Sequence, residues 1–251
     1  MKNQKKIVLI LLMLCSGILC MDAQSLTQQV FRGTINGKIG VSLQLVVQND
    51  VVYGTASYTQ KGIPIDVIGS LNQGQIVVHE LMPDGSVTGI YAGILKNGAI
   101  NGIWVAGNKR TAKDLKLSLK KVSESTTTVT PNKDVTGTYR YSFGEELGTG
   151  ALLVQQISPT KIAVAFNCFT AGPAFNMAIL DKTVLSLKNG EAIYSSNECG
   201  KCKFKISFLP KGAQVSYMDD AYDCGFGNAA STAGSYIKTN SSKPTFAKLD
   251  E

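Results

Sequence analysis

From residue 28 to residue 121 apolar and polar positions alternate with period two in runs of eight to ten residues, the pattern of strands buried on one face. Turn clusters separate the runs: NGK, QND, QKG, NQG, PDG, KNG and GNKR. The pattern predicts strands near 28–35, 39–48, 51–58, 63–70, 74–81, 86–93, 99–106 and 113–121. Loops this short join antiparallel neighbours. NDVVYGTASY (49–58), DGSVTGIYAG (84–93) and NGAINGIWVAG (97–107) share a turn, a β-branched residue and a mid-strand glycine, namely Gly54, Gly89 and Gly102. Glycine in a strand marks a bend or a close backbone approach, which a sheet curling onto itself requires. Eight such strands predict an up-and-down barrel or a strongly rolled sheet, with a sandwich as the alternative.

The second half repeats the texture in GTYRYSF, GALLVQQI, KIAVAFNCF, FNMAILDKTVLSL, GEAIYSS, CKFKISFL, AQVSYM and GSYIKT. Its first strand opens with Gly137-Thr138-Tyr139 and its last with Gly234-Ser235-Tyr236, and pairing the two would close a barrel and remove both sheet edges. Phe166, Phe169, Phe175, Phe204, Phe208 and Tyr217 are expected to fill that barrel. No amphipathic stretch is long enough for a helix, although AGPAFNMA would allow a helical turn. The low-complexity run SESTTTVTPNKD lacks hydrophobic periodicity and predicts a linker over 122–134. The expected fold class is therefore all-β, with small antiparallel barrels or rolled sheets in tandem over 24–121 and 135–240 and a polar tail over 241–251.

Composition outside this pattern places the chain. Lys2, Lys5 and Lys6, the apolar run IVLILLMLCSGIL and the polar end before Gln24 predict an export signal over 1–23, with an apolar run too short for a membrane span. The expected location is extracytoplasmic, periplasmic or secreted. Anchoring through a lipid on Cys20 is the less favoured route, because bulky Leu19 stands where such a signal wants a small residue. No later segment is a transmembrane candidate. With the signal go three lysines and one aspartate, so the formal charge falls from +7 to +5. Much of that excess alternates along one strand, Lys116 and Lys120 between Leu115, Leu117 and Leu119. Without interleaved aromatic residues this is a solvated face, and no nucleic-acid partner is expected.

The four cysteines beyond the signal, Cys168, Cys199, Cys202 and Cys224, all fall in the second half. In an oxidising compartment an even number predicts two disulfides, and four cysteines allow three pairings. Cys202 begins one strand and Cys224 follows its neighbour, which favours that pair and leaves Cys168 with Cys199. Cys199 and Cys202 also have the spacing of a redox pair or half a zinc site. Yet a strand follows them where a redox motif wants a helix, and the only histidine, His79, is in the other half. No metal and no cofactor are expected.

Other chemistry is sparse. CGFGNAA matches a dinucleotide turn through Gly225, Gly227 and Ala230 but lacks the helix and second strand that motif needs. DDAYD (219–223) lacks the glycine and distal glutamate of a calcium loop, and adjacent Glu145 and Glu146 would point to opposite faces of a strand. His79 with Glu80 is the one local acid–base couple, and no nucleophile elbow, P-loop or zinc-protease motif occurs. No catalytic residue is expected. Aromatic residues of the first half, Trp104, Tyr91 and Tyr53, are the candidates for lining a ligand cavity, with plugging of the core as the alternative for Trp104.

The junction at Ala23-Gln24, the repeated V-x-G-x-Y/W strands and the ending C-x-F-x-I-S-F … C-G-F-G … G-S-Y resemble uncharacterised two-domain exported proteins of gut-type Bacteroidetes, built from lipocalin-like or streptavidin-like small barrels. The resemblance implies an architecture and brings no activity with it. The expected function is that of an exported, non-enzymatic binding protein for a small molecule or an extracytoplasmic protein. Inhibition of a secreted hydrolase such as a lysozyme, through Asp219–Asp223, is the second reading. An enzyme using His79, Glu80 or the Cys199/Cys202 pair is the third.

Overall fold

The computed structural model describes residues 24–48, 51–107, 113–129, 133–142 and 148–246. The expectations for the export signal, for Cys20 and for Glu145–Glu146 lie outside the described residues. Eight strands form the first unit: β1 (Gln24–Ile35), β2 (Ile39–Gln48), β3 (Val51–Tyr58), β4 (Pro64–Asn72), β5 (Gln75–Leu81), β6 (Val87–Lys96), β7 (Ala99–Ala106) and β8 (Leu115–Val129). Each pairs antiparallel with the next, and β8 returns to β1, closing an up-and-down barrel. The second unit holds β9 (Gly137–Ser142), β10 (Thr149–Ser158), β11 (Lys161–Phe169), β12 (Met177–Lys188), β13 (Glu191–Ser196), β14 (Cys202–Leu209), β15 (Gly212–Tyr222) and β16 (Gly234–Asn240). It too is a closed barrel, sealed by β16 against β9. The fold is thus all-β, two small barrels in tandem, and no helix long and apolar enough to cross a membrane occurs among the described residues.

Alternation decides what faces inward. Along β8 Leu117 and Leu119 are buried while Lys116, Ser118 and Lys120 are exposed, as the period-two pattern requires. The core of barrel 1 joins Phe31, Ile35, Leu43, Val52, Val78 and Leu119 with their neighbours. The mid-strand glycines mark close approaches. Gly102 faces Gly93 across β6 and β7, and a Cβ on Gly102 would lie 2.0 Å from the Ala92 carbonyl oxygen and 2.5 Å from the Gly93 Cα. Gly102→Ala is therefore expected to cost about 1–3 kcal/mol, measured by denaturant unfolding, because the clash is with backbone. An unchanged midpoint would refute this account of the glycine.

Barrel 2 is filled by rings. Phe166 meets Phe204 at 5.6 Å and Tyr236 at 6.0 Å between centroids, both edge-to-face, and Tyr194 stacks on Phe204 at 4.9 Å. Phe208 and Tyr217 pack against this core. Phe169 and Phe175 do not, being 37% and 62% exposed, because they end β11 and lie in the following turn, beyond the reach of the interior. AGPAFNMA forms turns and strand with no helix. The shared G-[ST]-Y signature gains a physical meaning: the buried Tyr139 hydroxyl donates to the Val135 carbonyl at 2.7 Å and the Tyr236 hydroxyl to the Thr232 carbonyl at 2.6 Å, each four residues upstream. Each ring is thereby tied to the chain entering its strand, where the barrel closes.

The expected linker is largely strand. Ser123–Val129 continue β8 and pair with Gln24–Val30 of β1, which starts earlier than the alternation suggested. Serines and threonines without apolar periodicity serve here because this extension needs backbone partners more than a buried face. The tail is not wholly free either, since the Lys182 ammonium sits 5.0 Å over the Phe246 ring.

The two barrels touch along one outer face of the first. Leu26, Val46, Val51 and Tyr53 cluster with Leu209 of barrel 2, and Ile68, Leu81 and Val87 with its Ile237. Arg140 Nη1 adds a hydrogen bond to the Asp84 carbonyl at 3.1 Å.

Candidate functional site

Two places in barrel 1 gather polar side chains, one inside and one on the face toward barrel 2. Inside, β5 carries Glu80, 1% exposed, toward the barrel axis. Its Oε1 accepts hydrogen bonds from the Tyr58 and Tyr91 hydroxyls, both at 2.5 Å, and its Oε2 accepts from Thr88 Oγ1 at 3.0 Å. Thr88 reaches it through a bulge: Glu80 pairs with Gly89 and Leu81 with Val87, leaving Thr88 out of the ladder. Gly89 makes room, for a Cβ there would lie 2.6 Å from both Glu80 Oε2 and Trp104 Nε1. Burial pushes both tyrosine hydroxyls well above their ordinary pKa, and the Glu80 charge pushes them further. Neither gives up a proton at neutral pH, so the cluster holds a carboxyl group with three donors as a polar lock in an apolar core.

The structure brings two of the three sequence-predicted ligand residues, Tyr91 and Trp104, to this lock. They are direct partners across β6 and β7, with Tyr91 1% exposed. Trp104 packs against the barrel 1 core. Its Nε1 makes no hydrogen bond of good geometry, although it lies near enough to the Tyr58 hydroxyl to offset slightly the rise in that group's pKa. Tyr91 is thus enclosed in the core, while Trp104 remains partly exposed beside it.

His79 and Glu80 do not form a couple. Neighbours on a strand point to opposite faces, so Glu80 enters the barrel while His79 lies on the outer face with its register partners Ile68 and Ile90. Burial there lowers the His79 pKa to about 4, a backbone hydrogen bond at Ile68 offsetting part of the effect. The sign follows from proton binding. Below pH 6.5 the unfolded chain protonates at His79 and the folded chain does not, so stability present above that pH is lost as pH falls toward 4. The loss is expected to total roughly 3 kcal/mol, and a His79→Gln variant should show a correspondingly shallower decline in unfolding free energy between pH 6.5 and pH 4. Equal slopes for the two proteins would contradict the assignment.

The third predicted residue, Tyr53, points outward instead, into the seam between the barrels. There Val46, Tyr53 and Ile68 form an apolar row across β2, β3 and β4, partly covered by barrel 2. One step along, Gln44, Thr55 and Asp66 form a parallel polar row in direct cross-strand register. The cleft above these rows has a volume of about 480 Å³ and is completed by Gln28 and by Pro210, Lys211, Ile237 and Lys238 of barrel 2. Gln44 Nε2 donates to Gln28 Oε1 at 2.7 Å, which fixes both amides. Burial raises the Asp66 pKa, and Lys211 on the opposite wall pulls it back. The described ion pairs, Lys121–Glu124, Lys203–Asp219 and Lys205–Glu191, leave both Asp66 and Lys211 out. Sequence reasoning missed Gln44, Thr55, Asp66 and Lys211, which are far apart in the chain. Only the register of three strands and the docking of the second barrel bring them together.

The cysteines differ from expectation in one pair. Cys202 is bonded to Cys224, which ties β14 to the end of β15. The expected bond between Cys168 and Cys199 is not formed: Cys168 is buried inside barrel 2 with its Sγ 3.4 Å from the Tyr236 hydroxyl, and Cys199 is exposed in the loop before β14. Alternation along β11 carries Cys168 to the interior, away from that loop. The acidic run is partly spent, as Asp219 accepts an ion pair from Lys203 at 2.5 Å. No group of three or more metal-ligating side chains occurs among the described residues. The CGFGNAA stretch is a loop leading into β16, with the Gly227 amide donating to the Met177 carbonyl at 2.9 Å, and no helix follows it.

No protein-family model, curated protein or solved structure matches the chain.

Proposed function

We propose that this chain is an exported, non-catalytic binding protein that holds a small polar ligand in the cleft between its two barrels. The observation that carries the reading is the Gln44–Thr55–Asp66 row facing Lys211 across about 480 Å³. That volume is in the range of small-molecule sites, which pair an apolar lining with a few convergent polar groups. Val46, Tyr53 and Ile237 supply the apolar part, while amides, a hydroxyl, a carboxylate and an ammonium supply donors and acceptors of both charge signs. The ligand they suit carries hydroxyl or amide groups and is no larger than a short oligomer. Among the described residues, Phe166, Phe204 and Tyr236 pack together inside barrel 2 and Tyr91 is buried inside barrel 1, while the seam offers the convergent polar groups.

Native mass spectrometry of the mature chain, purified without unfolding from cells that make it, tests this. A bound small molecule is expected, and Asp66→Ala or Lys211→Ala should each lower its occupancy about tenfold at limiting concentration, the worth of one charge-assisted hydrogen bond. A ligand retained equally by both variants, or turnover of the ligand, would overturn the reading.

A further inference from the structure

Cys199 does not stand alone. Its loop and the loop after β15 interlock through two glycines. A Cβ on Gly225 would lie 2.7 Å from Cys199 Cβ and 2.8 Å from Cys199 Sγ, so the exposed thiol occupies space that only a glycine leaves open. Reciprocally, a Cβ on Gly200 would fall 2.1 Å from an Asp223 carboxylate oxygen. Both glycines have positive φ, +127° at Gly200 and +71° at Gly225. The Asp223 amide donates to the Lys201 carbonyl at 3.0 Å, which holds the two loops in contact. Gly225 directly follows Cys224, whose sulfur is bonded to Cys202. The free thiol is thus packed one residue from a disulfide, on a backbone of low torsional cost.

We propose that Cys199 is a thiol–disulfide exchange site whose target is the Cys202–Cys224 bond. In this step the Cys199 thiolate attacks Cys224 Sγ and displaces the Cys202 sulfur. A Cys199–Cys224 bond forms, the Cys202–Cys224 bond breaks, and Cys202 leaves as a thiolate that takes up the proton Cys199 gave to solvent. One disulfide and one thiol stand on each side of the step, so no oxidant or reductant is consumed. The consequence is structural. In one state the bridge clamps the first residue of β14, and in the other it clamps only the preceding loop, releasing the start of that strand.

The test is disulfide mapping of the full mature chain. After incubation at neutral pH, acid quench and alkylation in denaturant, trypsin cuts after Lys201 and so separates Cys199 from Cys202. Two bridged species are expected, Cys202–Cys224 and Cys199–Cys224, with alkylation gained at Cys202 matching that lost at Cys199. Cys168 should be alkylated in both. Cys202→Ser should retain a single disulfide, Cys199–Cys224, and Cys199→Ser should show only Cys202–Cys224. A wild-type map holding only Cys202–Cys224, or a bond between Cys199 and Cys202, overturns the proposal even if Cys202→Ser fails to fold.

Discussion

Replacing Glu80 with alanine is expected to lower the unfolding free energy by about 3 kcal/mol, the cost of leaving the buried Tyr91 hydroxyl and the half-buried Tyr58 and Thr88 hydroxyls without their acceptor. Tyr58, Tyr91 and Thr88 all donate to this one carboxyl group. Glu80 and Tyr91 are each 1% exposed, so the Tyr91 hydroxyl would lose its acceptor where water is scarce. Tyr91→Phe removes a single donor and leaves two, and its cost should be nearer 1 kcal/mol. The pair distinguishes a polar lock from ordinary packing. Under packing alone the two variants would differ only as their volumes do. Denaturant titration with tryptophan fluorescence reads the first barrel directly, because Trp104 is the single tryptophan and sits beside the lock.

In barrel 2 the largest single loss is expected from Phe166→Ala, about 3–5 kcal/mol by the usual cost of emptying a buried aromatic site. Phe166 is fully buried and touches both the Phe204 and the Tyr236 rings, so its removal opens a cavity that three surrounding strands cannot close without breaking register. Phe175→Ala, by contrast, should change stability by less than about 0.5 kcal/mol, as expected of an exposed side chain. The contrast tests which of two similar-looking phenylalanines the barrel uses, a distinction their sequence contexts do not make. It is read by thermal or denaturant unfolding monitored in the far ultraviolet, and equal effects would contradict the placement of Phe175.

These two cases show what local pattern can and cannot convey. Alternation in β8 and the turn clusters carry strand positions because each strand must bury one face, and closure follows from the matched ends around Tyr139 and Tyr236. Ser123–Val129 escaped the same logic, since their role is to pair backbone with β1 and no side-chain period records it. Parity alone separates His79 from Glu80, and it would have ruled out their acting as a couple. The cleft was not legible. Gln44, Thr55 and Asp66 become neighbours through register across three strands, and Lys211 arrives on a turn of the other barrel, so no spacing in the chain announces them. Tyr53 was singled out for its aromatic ring, yet its place on the outer face depends on which parity β3 adopts, and its role is to wall the seam.

The measurement that bears most directly on the proposed ligand cleft is a chemical-shift map of the isotopically labelled protein, with and without a small molecule released from the protein purified from cells that make it. The account predicts perturbed amides at Gln44, Thr55, Asp66 and Lys211, on both walls of the seam, with Tyr58, Tyr91 and Trp104 unmoved. Shifts confined to the residues around Glu80, or to one barrel alone, would contradict it and move the binding site out of the seam.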